Sequence, residues 1–126
     1  MKIKQLMVQT ITLKRLELHL IDLPQIMSFR SGIGTRNSRE ALIIKWIDAE
    51  DNVGYGECAC RPDPYYSVEY RDAAADVIQK FIAPFLKKEQ SYADILTILR
   101  KVRGWNFTKG AVEAAVFQLA KKKEEF

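Results

Sequence analysis

An α+β fold, with a three-stranded antiparallel meander followed by a bundle of three helices, is predicted by three observations. Apolar and polar residues alternate early in the chain, polar turn residues separate short β-branched runs, and beyond about residue 70 the apolar period becomes helical. The 126 residues, 48% hydrophobic and 29% charged, suffice for one domain with a single core.

From Ile11 to Ile21, Leu16, Leu18 and Leu20 alternate with Glu17 and His19, the pattern of a half-buried strand. Residues 1–10 alternate less cleanly and extend that strand at most. Leu23-Pro24 ends it, and Gln25 to Ser38, with two glycines, three arginines and no clean period, reads as a mobile loop. The β-branched and aromatic run Glu40 to Ile47 is the second strand, Asp48 to Asn52 a polar turn, and Val53 to Cys58 the third strand.

Such a meander needs one face covered. Ala73, Ala74, Val77, Ile78, Phe81 and Ile82 fall at helical spacing after a Ser67 cap, with Pro84 at the end. A second helix starts at Ser91, with Asp94 completing an imperfect capping box, and stops near Gly104. The third has Thr108 as cap and a stripe of Val112, Ala115, Val116 and Leu119.

No apolar run approaches the roughly 18 residues that span a bilayer, and the N-terminus lacks the features of a signal peptide, so a cytoplasmic protein is expected. The formal charge is +4, yet the dense run Lys121-Lys122-Lys123 is followed by Glu124-Glu125, which favours a solvated helix end over a nucleic-acid patch. Cys58 and Cys60 would stand about 6.5–7 Å apart along an extended strand, which suggests free thiols. With His19 as their one soft partner they do not make a zinc site.

Chemistry has few other footholds. Gly32-Ile33-Gly34 begins like a dinucleotide fingerprint but leads into a strand and lacks the third glycine. Two readings of that loop stand: glycines that relieve backbone strain, or a lid over a ligand. His19 fits a surface or edge position, and no Asp-His-Ser or Cys-His set can be assembled. Arg61, in a proline-bounded loop beside Tyr65 and Tyr66, can offer a fork of donors to a carboxylate between aromatic walls; equally, the tyrosines can simply pack on the following helix. No catalytic residue and no metal ligand is assigned.

Three motifs occur in order: Gly54-Tyr55-Gly56-Glu57-Cys58, Pro64-Tyr65-Tyr66-Ser67-Val68-Glu69-Tyr70, and Arg103 through Ala115. From about Ile11 to Lys123 the series resembles the N-terminal capping domain of the enolase superfamily, in the o-succinylbenzoate synthase and N-acylamino acid racemase branch of the muconate-lactonizing subgroup. Phe29-Arg30-Ser31-Gly32-Ile33-Gly34-Thr35 is similar to that branch's mobile loop, usually Phe-x-Thr-Ser-Phe-Gly. The resemblance implies that this loop and the one after Cys58 close a pocket over a (β/α) barrel and choose a small carboxylate substrate. The substrate-binding candidates are Phe29, Arg30, Ile33, Arg61, Tyr65 and Tyr66. Ile33 stands where the branch commonly has an aromatic residue, and Arg61 where it has an apolar one. A cation there suits a second carboxylate such as a succinyl group.

The superfamily abstracts a proton beside a carboxylate with barrel lysines, while magnesium held by barrel acids stabilises the enediolate, and that barrel takes about 250 further residues. The resemblance therefore implies that residues 1–126 are the capping domain alone, with its own C-terminal barrel as partner and magnesium bound by the full enzyme only. The domain is expected to be inactive alone. It is also expected to form a homo-oligomer, and in isolation to self-associate through apolar surface around Val112, Val116, Leu119 and Phe117. The rival expectation is a stand-alone module that holds an anionic partner such as RNA, against which the sheet lacks aromatic ribonucleoprotein motifs.

Overall fold

The computed structural model describes residues 3–31 and 34–124, the side chains of 23–39 and of 124 excepted. A short helix α1 (Ile3–Met7) leads into β1 (Thr10–Ile11), then β2 (Leu13–Ser31), β3 (Gly34–Asp48) and β4 (Val53–Cys58). Next come α2 (Arg71–Val77), a π-helical turn over Ile78–Ile82 and a 3-10 turn over Ala83–Phe85. β5 (Gln90–Ser91), α3 (Tyr92–Arg100) and α4 (Asn106–Glu124) complete the chain.

β2, β3 and β4 form the antiparallel meander, in that order, while β1 and β5 pair separately. Alternation fixes the register of the meander. Leu16, Leu18 and Leu20 of β2 stand opposite Trp46, Ile44 and Leu42 of β3, which stand opposite Gly54, Gly56 and Cys58 of β4. Leu42, Ile44 and Trp46 are buried under the helices. The other face carries a charged row: Glu17, Lys45 and Tyr55 lie side by side, and the Lys45 ammonium sits 6.0 Å from the centre of the Tyr55 ring.

The turn between β3 and β4 is held by a buried acid. Asp48 accepts hydrogen bonds from the Glu50 and Asn52 amides at 2.9 and 2.8 Å, and Asp51 takes a positive φ of 64°.

Helix α4 reaches the sheet through the β4 glycines. A Cβ on Gly54 would lie 2.0 Å from the Ala115 carbonyl oxygen, and one on Gly56 would lie 1.8 Å from that of Ala111. Only glycine permits this contact. The approach also lets α4 close the outer edge of β4, because Gln118 Oε1 accepts the Tyr55 amide at 2.8 Å and Lys122 Nζ donates to the Val53 carbonyl.

Several expectations are corrected. Residues near the N-terminus fold as α1, since Leu6 buries itself against the helices instead of extending β2. The segment Gln25 to Ser38, expected as a loop, is strand over its described part: Phe29 pairs with Arg36 and Arg30 with Thr35. Once two strands are in register the ladder continues without an apolar period; it slips between Leu13 and Arg15, and again between Pro24, which has no N–H to give, and Phe29. Ser67 caps no helix; its hydroxyl accepts the Glu69 amide at 3.2 Å, and α2 starts at Arg71. Ser91 does cap α3, accepting the Asp94 amide at 3.1 Å.

Val112, Val116 and Leu119 are fully buried in the chain's own core, and Phe117 is half-buried with its ring 6.3 Å from that of Tyr92. The expected route to self-association through this face is therefore closed. Cys58 and Cys60 are joined as a disulfide pair with Cα atoms 5.5 Å apart, which corrects the expectation of free thiols. β4 ends at Cys58, so the chain bends and the extended-strand spacing does not apply.

Candidate functional site

The loop from Ala59 to Tyr70 is built on a buried base with an exposed crest. At its start Cys58 and Cys60 are buried, and the Cys58 sulfur lies 3.9 Å from the Thr108 hydroxyl. Arg61 is partly buried; its carbonyl accepts the Arg71 amide at 2.8 Å, which closes the loop on itself. Its Nε is buried 3.4 Å from Asp63 Oδ1, without hydrogen-bond geometry. The Asp63 carboxylate also accepts the Tyr65 amide at 3.4 Å, turning the chain after Pro64.

Tyr65, Tyr66 and Val68 then stand 79%, 74% and 81% exposed. That exposure rules out packing of the two tyrosines on the following helix. The loop returns to the protein at Glu69, which is buried and accepts from the Phe107 amide at 3.1 Å and from both the Thr108 amide and hydroxyl at 2.9 Å. The acid thus caps α4. Thr108, expected as the cap, lies inside the helix and gives its hydroxyl to that carboxylate.

The sequence could not reveal this pairing, because Glu69 and Thr108 are 39 residues apart and no local capping motif links them. The one available signal was the resemblance, whose motifs contain both residues.

Of the six candidate binding residues, the structure brings Arg61, Tyr65 and Tyr66 together on this loop. Phe29 and Arg30 lie at the far end of the β2–β3 hairpin with side chains outside the description, and Ile33 is outside the described residues. A separate groove of about 720 Å³ between the α2 extension and α3 is lined by Phe81, Pro84, Phe85, Ile98 and Lys101 among others, and by none of the candidates.

His19 is half-exposed, its Nε2 3.0 Å from Glu17 Oε1, and that contact holds the Glu17 carboxyl below its usual range. Lys122 and Lys123 are engaged with the Val53 carbonyl and Glu50, so that part of the basic run serves the fold. Among the described residues no three His, Cys, Asp or Glu side chains come together to hold a metal ion, and no helix is long and apolar enough to cross a membrane. The described residues do not fit a magnesium site.

Known proteins show the same scaffold. An N-succinylamino acid racemase from Amycolatopsis is 33% identical over 106 residues, covering 82% of this chain and 28% of the relative. An o-succinylbenzoate synthase from Listeria innocua is 30% identical over 106 residues, with the same coverage of each. The crystal structure of an enolase-superfamily member from Listeria innocua superposes with a TM-score of 0.83 at 28% identity, covering 91% of this chain and 32% of that one. No family profile matches the chain.

The chain has homologues among enolase-superfamily proteins and has the α+β fold of their N-terminal domain. Within the superfamily its homologues carry the names N-succinylamino acid racemase and o-succinylbenzoate synthase, and the chain spans a little under a third of their length.

Proposed function

We propose that this chain is the substrate-specificity cap of a lyase or isomerase of the o-succinylbenzoate synthase or N-succinylamino acid racemase type. It works with a (β/α) barrel that supplies all the chemistry. The observation that carries this reading is the Arg61 to Val68 loop: an apolar, aromatic crest held out from a buried base, in a domain whose relatives are such enzymes. A loop positioned by a rigid scaffold suits recognition, and exposed aromatic surface suits a wall that another body completes. In this role Tyr65 and Tyr66 bound the apolar part of a small carboxylate substrate. Arg61, drawn off Asp63, meets a second carboxylate. Phe29 and Arg30, at the far end of the β2–β3 hairpin, and Ile33 complete the set of substrate-binding candidates. Magnesium would be held by the barrel.

The test has two arms. The chain alone with magnesium should catalyse neither dehydration nor racemisation; turnover by the chain alone would overturn the capping role. In a polypeptide that carries this domain and a barrel, Arg61→Ala should reduce kcat/KM on N-succinyl substrates about tenfold or more beyond its effect on N-acetyl ones, the worth of a charge-assisted contact. Equal losses on both would remove Arg61 from substrate recognition.

A further inference from the structure

A buried carboxylate must be supplied with donors, and Glu69, 6% exposed, has three, from Phe107 and Thr108 at 2.9–3.1 Å. Its charge also sits at the start of the 19-residue α4, where the helix dipole favours an anion. Thr108 is the shared point: its hydroxyl donates to Glu69 at the end of the loop and lies 3.9 Å from the sulfur of Cys58 at the beginning. The Arg71 amide closes the same loop on the Arg61 carbonyl. Between these ties the crest of Tyr65, Tyr66 and Val68 has no such anchor and is exposed.

We infer that Glu69 is a positioning residue, a clasp between the Arg61 to Val68 loop and the N-terminus of α4 that sets the direction in which the loop meets its ligand. It touches no substrate itself. The identity of that ligand rests on the capping-domain reading; the clasp does not.

Hydrogen exchange on the 126-residue chain tests the clasp. In Glu69→Ala, the amides of Phe107 and Thr108, and those of Tyr65 and Arg71 that are hydrogen-bonded within the loop, should exchange about ten- to a hundredfold faster, as loss of a charge-assisted hydrogen bond implies, while those of Ile44 and Trp46 in β3 change less than about twofold. Glu69→Gln keeps one acceptor oxygen and should give an intermediate effect in the same amides. Thr108→Val, which removes only the hydroxyl donor, should give a smaller one. Unchanged loop exchange, or acceleration spread evenly over β3, overturns the clasp; if Glu69→Ala does not fold, Glu69→Gln decides by the same criterion.

A second readout separates the two ideas. In a polypeptide with the barrel, Glu69→Gln should raise KM severalfold with kcat changed less than about twofold, since ordering of a binding loop acts on ground state and transition state alike. Faster loop exchange with unchanged KM would refute the substrate-facing role and leave the tie itself standing.

Discussion

Helix α4 meets two parts of the molecule on opposite terms. Along its middle, Ala111 and Ala115 press their backbone against Gly54 and Gly56, so closely that a single methyl group has no room. At its start, it holds the loop of Tyr65, Tyr66 and Val68 through one carboxylate and leaves the crest in solvent. The seam is specified by removing side chains, and the loop by displaying them. Side chains can therefore change on the loop with little cost to the fold, which suits the proposed specificity role, whereas the seam admits almost no substitution.

The strongest test of that contrast is Gly56→Ala. Its new Cβ would sit 1.8 Å from backbone that cannot rotate away, so α4 must shift along much of the sheet. A loss of about 3 kcal/mol or more is expected, at or above the upper end for overpacking. Urea unfolding measures it, and a loss below about 0.5 kcal/mol would mean that the seam is loose.

A smaller effect is expected at the β3–β4 turn. Asp48→Ala strips the acceptor from the Glu50 and Asn52 amides and leaves a buried gap. A loss of about 2 kcal/mol is expected from hydrogen bonds to a charged group, with the loop of Tyr65 undisturbed in its amide exchange. Coupled changes in that loop would break the separation of scaffold from display.

The same contrast governs what could be read from sequence. β4 was legible to the residue, Val53 to Cys58, because alternation and a polar turn bound it. The ladder beyond Pro24 was illegible, since two strands that extend past the core need no apolar period. The glycines of β4 carried no local hint of their role; it depends on Ala111 and Ala115, more than 50 residues away. The face of Val112, Val116 and Leu119 was placed on the right helix, yet its burial was assigned in part to an external body. Periodicity gives a direction without naming what lies there. At the candidate site, the loop residues were visible as residue types, while the buried acid that anchors them paired across too long a separation to be seen.

A pH effect belongs to the scaffold side. Tyr92 is pushed up to about 12 by burial, with the Glu113 charge and their 3.5 Å hydrogen bond adding to it. The neutral phenol is favoured in the folded state, so the unfolded chain ionises first, from about pH 10. The contribution of Tyr92 to stability should be level below pH 10 and be lost between about 10 and 12. Tyr92→Phe should remove that loss; an unchanged slope in thermal unfolding would place its origin elsewhere.

The smallest expected effect bears most directly on function. Tyr65→Ala and Tyr66→Ala remove rings that are 79% and 74% exposed, so each should change the stability of this chain by less than about 0.5 kcal/mol. In a polypeptide with the barrel the same changes should cost more, because in the proposed cap a surface that is free here becomes a buried wall there, and truncating an aromatic side chain at such a boundary costs about 1 kcal/mol or more. The decisive quantity is the difference between the two measurements for each variant. A stability loss already present in the isolated chain would mean that the rings pack within the domain and display nothing. Loss confined to the larger polypeptide, together with a raised KM, would place both rings at the junction between cap, barrel and substrate.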